Sequence, residues 1–137
     1  MRVMRVAVAL AIAAVTAGCE TFGPATCDRS LEGNLPVSYT EGTVTKGVYT
    51  TSAWDGELLY FPGGMRYDLV HGLSGAPGWV QSFLSFDRHG TLDGGTFAPA
   101  AGNQVVVTGV DPTVIHVAND SCVEYWLRVA AGSGSPP

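Results

Sequence analysis

The segment Cys122-Val123-Glu124-Tyr125-Trp126-Leu127-Arg128-Val129 has the side-chain alternation that decides the fold of this chain. A period of two is typical of a β-strand, in which successive side chains point to opposite faces of a sheet. The apolar residues share one face, which is predicted to meet the core, and they are Val123, Tyr125, Leu127 and Val129. The opposite face carries Cys122, Glu124, Trp126 and Arg128. We therefore expect a strand over 122–129 with one face in the hydrophobic core.

Similar alternation recurs from Leu35 onward and is interrupted by turn residues, whereas no window shows a helical period with capping residues. Strands are predicted over 35–41, 43–51, 57–61, 65–71, 79–86, 104–110, 113–118 and 122–129. About eight short strands at this spacing indicate an all-β fold, either a small antiparallel β-sandwich or a partly open barrel. Because Asp111-Pro112 forms a turn between two apolar strands, we expect a hairpin there.

The N-terminus has the features of a secretory signal. Arg2 and Arg5 give it a basic start, and residues 6–15 are uncharged and apolar. This run is shorter than the roughly 20 residues that a helix needs to cross the hydrocarbon core of a membrane. The segment therefore predicts export of the chain rather than a membrane-spanning helix.

The apolar run ends in Val15-Thr16-Ala17-Gly18-Cys19, where two small residues precede a cysteine. This segment resembles the lipobox of bacterial lipoproteins at its last three residues, and it differs at Thr16, where the family usually has Leu. The resemblance covers only the signal, and it implies cleavage after residue 18 and acylation of the Cys19 thiol. Two alternatives remain open, namely an ordinary secretory signal and an uncleaved N-terminal anchor.

The lipobox resemblance also implies how the chain is organised and where it is located. At ~0.8 kcal/mol per buried methylene, two or more acyl chains hold a small domain stably on a membrane. Glu20 follows the cysteine, in place of the Asp that resembles an inner-membrane retention signal. We expect a cell-envelope location, in the outer membrane if the host is Gram-negative. The expected parts are a signal peptide at 1–18, a lipidated tether at 19–34, a β-sandwich domain at 35–131 and a disordered tail at 132–137.

The chain has three cysteines, and assignment of Cys19 to lipid leaves Cys27 and Cys122. In an exported protein the remaining two favour a disulfide over two independent thiols. The bridge would fasten the tether to the outer face of the last strand. Closing so long a loop stabilises a domain by roughly 4 to 5 kcal/mol in the chain-entropy model.

The mature chain is acidic. Loss of residues 1–18 removes Arg2 and Arg5, and the rest carries five basic residues against twelve Asp and Glu, a net charge of −7. Nucleic acids and anionic headgroups bind clusters of basic residues, so we expect neither as a partner of the protein surface. The lipid anchor is the expected membrane contact.

Residues that could carry chemistry are few. The histidines His71, His89 and His116 lack the close spacing of metal ligands, and His71 is expected to be a packed core residue. Ser74, in Gly72-Leu73-Ser74-Gly75, does not have the spacing of a nucleophile elbow. The sequence therefore predicts no catalytic residue, no metal site and no cofactor.

Two tryptophans give the clearest indication of a binding site. Trp54 lies in a predicted turn, and Trp126 lies on the strand face opposite the core, where exposed rings stack on sugars or anchor a protein partner. In the alternative interpretation, which we favour, Trp126 packs under the N-terminal arm and Trp54 caps one end of the sandwich. The sequence thus favours a non-catalytic structural or protein-interaction module of the envelope over a carbohydrate-recognition domain, and a hydrolase is the least favoured. The oligomeric state is left open.

Overall fold

The computed structural model describes residues 27–136, and within them the chain is all-β, with ten strands in two sheets. The predicted signal peptide, Cys19 and residues 20–26 lie outside the described residues. Within residues 27–136, one 3₁₀ turn is present, and it spans Gly90–Asp93. The strands are β1 Val37–Tyr39, β2 Thr43–Thr45, β3 Val48–Thr50, β4 Leu59–Phe61, β5 Arg66–Val70, β6 Trp79–Ser85, β7 Ala98–Pro99, β8 Val106–Val110, β9 Val114–Ala118 and β10 Tyr125–Gly132.

The described strands form two separate sheets and no closed barrel, as the predicted sandwich requires. The four-stranded sheet has the order β1-β5-β9-β8, and the six-stranded sheet has the order β2-β3-β10-β6-β7, with β4 also paired to β10. All pairs are antiparallel except β1 with β5. The predicted hairpin is present as β8 and β9.

β10 is the central strand of the six-stranded sheet. It pairs with β6 along one side, whereas β4 and β3 share its other side, β4 at the N-terminal half and β3 at the C-terminal half. Tyr125, Leu127 and Val129 are buried, as the alternation predicts, and Ala131 continues their face into the core. The final strand of the sequence is therefore the element that the larger sheet is built around.

The observed bounds of β10 differ from the predicted 122–129. Val123 was predicted to be a core residue, but its side chain is 42% exposed. The reason is the buried Asn119 side chain, whose Nδ2 donates to the carbonyl oxygens of Phe61 and Val123 and whose Oδ1 accepts from the N–H of Ser121. These bonds hold residues 119–123 in a loop, so the strand begins at Tyr125.

The predicted strand 43–51 is interrupted by a two-residue turn. Lys46 and Gly47 both have positive φ, 51° and 77°, and Thr45 pairs with Val48 across them. Such a turn matches the twist of a hairpin, and glycine adopts it without steric penalty. Residues 43–51 therefore form the β2–β3 hairpin instead of one strand.

The disulfide between Cys27 and Cys122 is present, with 5.4 Å between the two Cα atoms. The arm that it fastens packs beside the loop before β10 rather than over Trp126. Arg29 donates to the carbonyl oxygen of Asp120 at 3.0 Å, and Arg66 of β5 donates to the carbonyl oxygen of Arg29 at 3.0 Å. The described part of the predicted tether, residues 27–34, is thus attached to the domain by its backbone as well as by sulfur.

Candidate functional site

Trp126 lies on the outer face of the six-stranded sheet, within a small aromatic and cationic cluster. Tyr60 is its cross-strand partner on β4, with 5.1 Å between the ring centroids. The guanidinium carbon of Arg88 lies 5.8 Å from the indole centroid. The N-terminal arm is expected to cover this ring, but the observed bonds of Cys27 and Arg29 are to Cys122, Asp120 and Arg66 instead.

A groove of about 640 Å³ lies beside Trp126, where the two sheets meet edge to edge. Within residues 27–136, β1 pairs only with β5 and β4 pairs only with β10, so each strand leaves one edge open. Both sheets contribute side chains to the walls of the groove. The groove is lined by Tyr39, Glu41, Glu57, Leu58, Leu59, Tyr60, Tyr67, Arg88 and Trp126.

Two tyrosines of the four-stranded sheet fix the walls of the groove. The Tyr67 hydroxyl donates to the carbonyl oxygen of Tyr60 at 2.8 Å, and the Tyr39 hydroxyl donates to the carbonyl oxygen of Thr51 at 2.8 Å. Burial raises the pKa of both hydroxyls, and both stay protonated at neutral pH. The groove therefore has a preformed shape, since hydrogen bonds hold its two sides together.

One side of the groove carries a charged pair. Nη2 of Arg88 lies 2.5 Å from Oε1 of Glu57, and both side chains are about half exposed. The N–H of Leu58 also donates to the carbonyl oxygen of Arg88 at 2.9 Å, which joins the two segments through their backbones. The groove thus offers a paired carboxylate and guanidinium beside an aromatic surface.

The exposed ring of Tyr60 is held in place by its hydroxyl. That hydroxyl donates to Oε2 of Glu124 at 2.8 Å, and this hydrogen bond raises the pKa of the Tyr60 phenol. Tyr60 is 41% exposed, so its ring remains accessible from the groove. A fixed, accessible aromatic ring loses little conformational entropy when a ligand packs on it.

Trp54 lies outside this groove, in the loop between β3 and β4. Its ring covers the Arg128 guanidinium at 4.0 Å, and it meets Phe83 and Phe97 edge to face at 5.0 Å and 5.2 Å. Nε of Arg128 donates to the carbonyl oxygen of Ser52 at 3.0 Å. Trp54 therefore packs on the outer face of the sheet rather than capping an end of the sandwich.

Arg128 is on the outward face, as the alternation predicts, yet the β3–β4 loop buries it to 6% exposure. Burial lowers the pKa of its guanidinium. Among the described residues, no carboxylate forms an ion pair with it. The cation is stabilised instead by the Trp54 ring and by the carbonyl oxygen of Ser52.

Trp79 and Trp126 lie far apart along the six-stranded sheet. Trp79 pairs with Gly132 at one end of β6, and Ser85, which pairs with Trp126, lies at the other end. The two positions are six residue steps apart along the strand, a distance of about 20 Å. Only Trp126 lines the groove.

His71 and His116 are engaged in hydrogen bonds. His71 is buried, its Nδ1 accepts from the N–H of Leu73 at 3.1 Å, and its Nε2 lies 3.1 Å from the carbonyl oxygen of Asp111. This confirms the expected packed histidine. His116, which is 39% exposed, lies 2.7 Å from the carboxylate of Asp68. In residues 27–136, no group of three or more His, Cys, Asp and Glu is arranged to hold a metal ion.

The sequence pointed to Trp126 but not to the rest of the groove. Alternation within β4 indicates that Tyr60 faces away from the buried Phe61, and this was the one available signal. Glu57 and Arg88 come from separate turns, and nothing in their sequence spacing indicates that they form a pair.

Comparisons of the chain with protein families, with curated proteins and with solved structures found no match. None of the described residues belongs to a helix long and apolar enough to cross a membrane.

Proposed function

We propose that the protein is an exported bacterial lipoprotein, a non-catalytic module of the cell envelope that is anchored through acylated Cys19. The observation that carries this proposal is the bridge between Cys27 and Cys122. Disulfides form in oxidising compartments outside the cytoplasm, so the bridge supports export. It also accounts for two of the three cysteines and leaves Cys19 for the lipid.

The anchor and the domain have separate roles in this proposal. Acyl chains supply the attachment to the membrane, and the location is the outer membrane if the host is Gram-negative. The acidic domain, with a mature net charge of −7, does not attract anionic headgroups. Its surface is therefore available for a structural or protein-interaction role in the envelope.

A Cys19→Ala variant tests the anchor by fractionation of cells into membrane and soluble parts. We expect the wild-type protein in the membrane fraction and the variant in the soluble exported fraction. A double variant, Cys27→Ala with Cys122→Ala, is the matched control, and it should remain with the membrane because its lipid site is intact. Membrane retention of the Cys19→Ala variant contradicts the proposal.

A second function, recognition of carbohydrate, is supported by one specific observation. Trp126 and Tyr60 present aromatic rings in a groove that also contains charged groups able to bond to hydroxyls. Binding sites for small ligands combine apolar and aromatic walls with a few placed polar groups. In this proposal Trp126 contacts the ligand, whereas Trp54 covers Arg128 and does not.

A further inference from the structure

We infer that the groove between β1 and β4 binds a neutral saccharide, with one sugar ring on the Tyr60–Trp126 surface and a vicinal pair of hydroxyls on the Glu57–Arg88 pair. This inference rests on the second function proposed above. It adds the position of the site, the groups that contact the ligand and the charge of the ligand.

The aromatic surface suits the apolar face of a sugar ring. Aromatic rings carry negative charge on their faces, and the axial C–H groups of a pyranose present a weakly positive, apolar surface to them. Tyr60 is exposed and held by Glu124, and Trp126 is held against it at 5.1 Å. The two rings are therefore in place before the ligand arrives.

The charged pair suits two neighbouring hydroxyls. The contact at 2.5 Å joins one oxygen of Glu57 to one nitrogen of Arg88. Because a carboxylate has two oxygens and a guanidinium has five N–H donors, an acceptor and several donors remain beside each other. A vicinal diol donates through one hydroxyl and accepts through the other, which matches this arrangement.

The charge of the groove favours a neutral ligand. The groove is lined by two carboxylates, those of Glu41 and Glu57, and by one cation, Arg88. This excess of negative charge would repel an anionic polymer. A cationic ligand on the Trp126 ring would be repelled by the Arg88 guanidinium, which lies 5.8 Å from the Trp126 centroid. A neutral saccharide would be repelled neither by the two carboxylates nor by the Arg88 guanidinium.

The size and shape of the groove are consistent with a short stretch of a polysaccharide. Its volume of about 640 Å³ lies within the roughly 300–1,000 Å³ of known ligand sites. The inferred ligand is thus a segment within a polymer or an oligosaccharide.

Calorimetric titration of the full-length protein in detergent tests the inference. The probes are neutral hexasaccharides of glucose, mannose, xylose and N-acetylglucosamine, an oligogalacturonate as the anionic probe and an oligoarginine peptide as the cationic probe. We expect at least one neutral hexasaccharide to bind more tightly than either charged probe. If no neutral hexasaccharide binds, or a charged probe binds more tightly, the inference is overturned.

Variants locate the site. Trp126→Ala should weaken saccharide binding by about tenfold or more, because it removes a stacking ring. Glu57→Gln and Arg88→Gln change half-exposed side chains that the fold does not bury, and each should weaken binding by about three- to tenfold. Trp54→Phe is the matched control and should leave affinity within about twofold, since Trp54 lies outside the groove.

The results for the variants distinguish failure of this inference from failure of the proposed carbohydrate recognition on which it rests. If binding is lost in Trp54→Phe and retained in the three groove variants, carbohydrate recognition stands and the groove is not its site. If binding requires Trp126 but is unchanged in Glu57→Gln and Arg88→Gln, the assignment of the diol to the charged pair is overturned. Lipid anchoring is measured separately by fractionation.

Discussion

The Tyr67 hydroxyl donates a hydrogen bond of 2.8 Å to the carbonyl oxygen of Tyr60, and this bond joins the two sheets. Tyr67 belongs to β5 of the four-stranded sheet, and Tyr60 belongs to β4 of the six-stranded sheet. The Tyr60 ring points into the groove while its backbone is held from the other sheet. The bond therefore links the packing of the sandwich to the shape of the candidate site.

A Tyr67→Phe variant should be less stable than wild type by about 1 kcal/mol, the usual net contribution of one hydrogen bond. The bond is only partly buried, which keeps the loss modest. Urea unfolding measures the difference. Tyr60→Phe, which removes an exposed hydroxyl, is the control and should change stability less. Equal stability of Tyr67→Phe and wild type would show that the bond does not stabilise the sandwich.

Removal of the disulfide should destabilise the domain strongly. The two cysteines are 95 residues apart in sequence, and a loop of that length is worth roughly 4 to 5 kcal/mol in the chain-entropy model. We expect a large fall in the urea midpoint for Cys27→Ala with Cys122→Ala, and no change for Cys19→Ala. A midpoint that stays at the wild-type value in the double variant would contradict this prediction, as would two free thiols in the wild-type protein.

The Trp54 ring should contribute to stability through Arg128. Removal of a ring that covers a desolvated guanidinium costs about 2 kcal/mol, so Trp54→Ala should lower the free energy of unfolding by that order. Trp54→Phe keeps an aromatic face and should retain part of the stability. The two variants are compared by urea unfolding. If Trp54→Ala unfolds at the same urea concentration as wild type, the indole does not stabilise the buried cation.

The stability of the domain should fall in acid partly through Asp111. The N–H of Thr113, with the Thr113 hydroxyl and the N–H of Val114, lowers the pKa of Asp111 from 3.8 to about 2. A carboxyl whose pKa is lowered by folding stabilises the folded state at pH values above its pKa in the unfolded chain. This stabilisation is lost as the pH falls from about 4 toward 2. Unfolding measured from pH 5 to 2 should therefore show a smaller decrease in Asp111→Asn. The same pH dependence in both proteins would assign the effect to other carboxyls.

The central strand was predictable because its signal is local. Alternation identified Tyr125, Leu127 and Val129 as core residues, and no other element had to be known. Val123 was assigned to the core by the same alternation, and the structure corrects this. A side chain outside the strand, that of Asn119, holds the backbone there in a loop, and the alternation pattern does not contain that information.

The groove was not predictable because it is assembled from distant elements. β4 and β6 flank β10, and only this pairing brings the turn before β4 close to the turn after β6. Glu57 and Arg88 meet as a result of that topology. In the same way, the burial of Arg128 depends on a loop that folds back over the sheet, which a period of two does not reveal.

The most direct test of the account is the intact mass of the protein purified from the membrane of its host. The account predicts a chain that begins at Cys19, carries the mass of a diacylglycerol and further acylation at that residue, and has no free thiol. The Cys19→Ala variant should lack the lipid mass. A wild-type mass that matches an unmodified chain, or a Cys19 thiol that reacts with an alkylating reagent, would contradict the lipoprotein proposal.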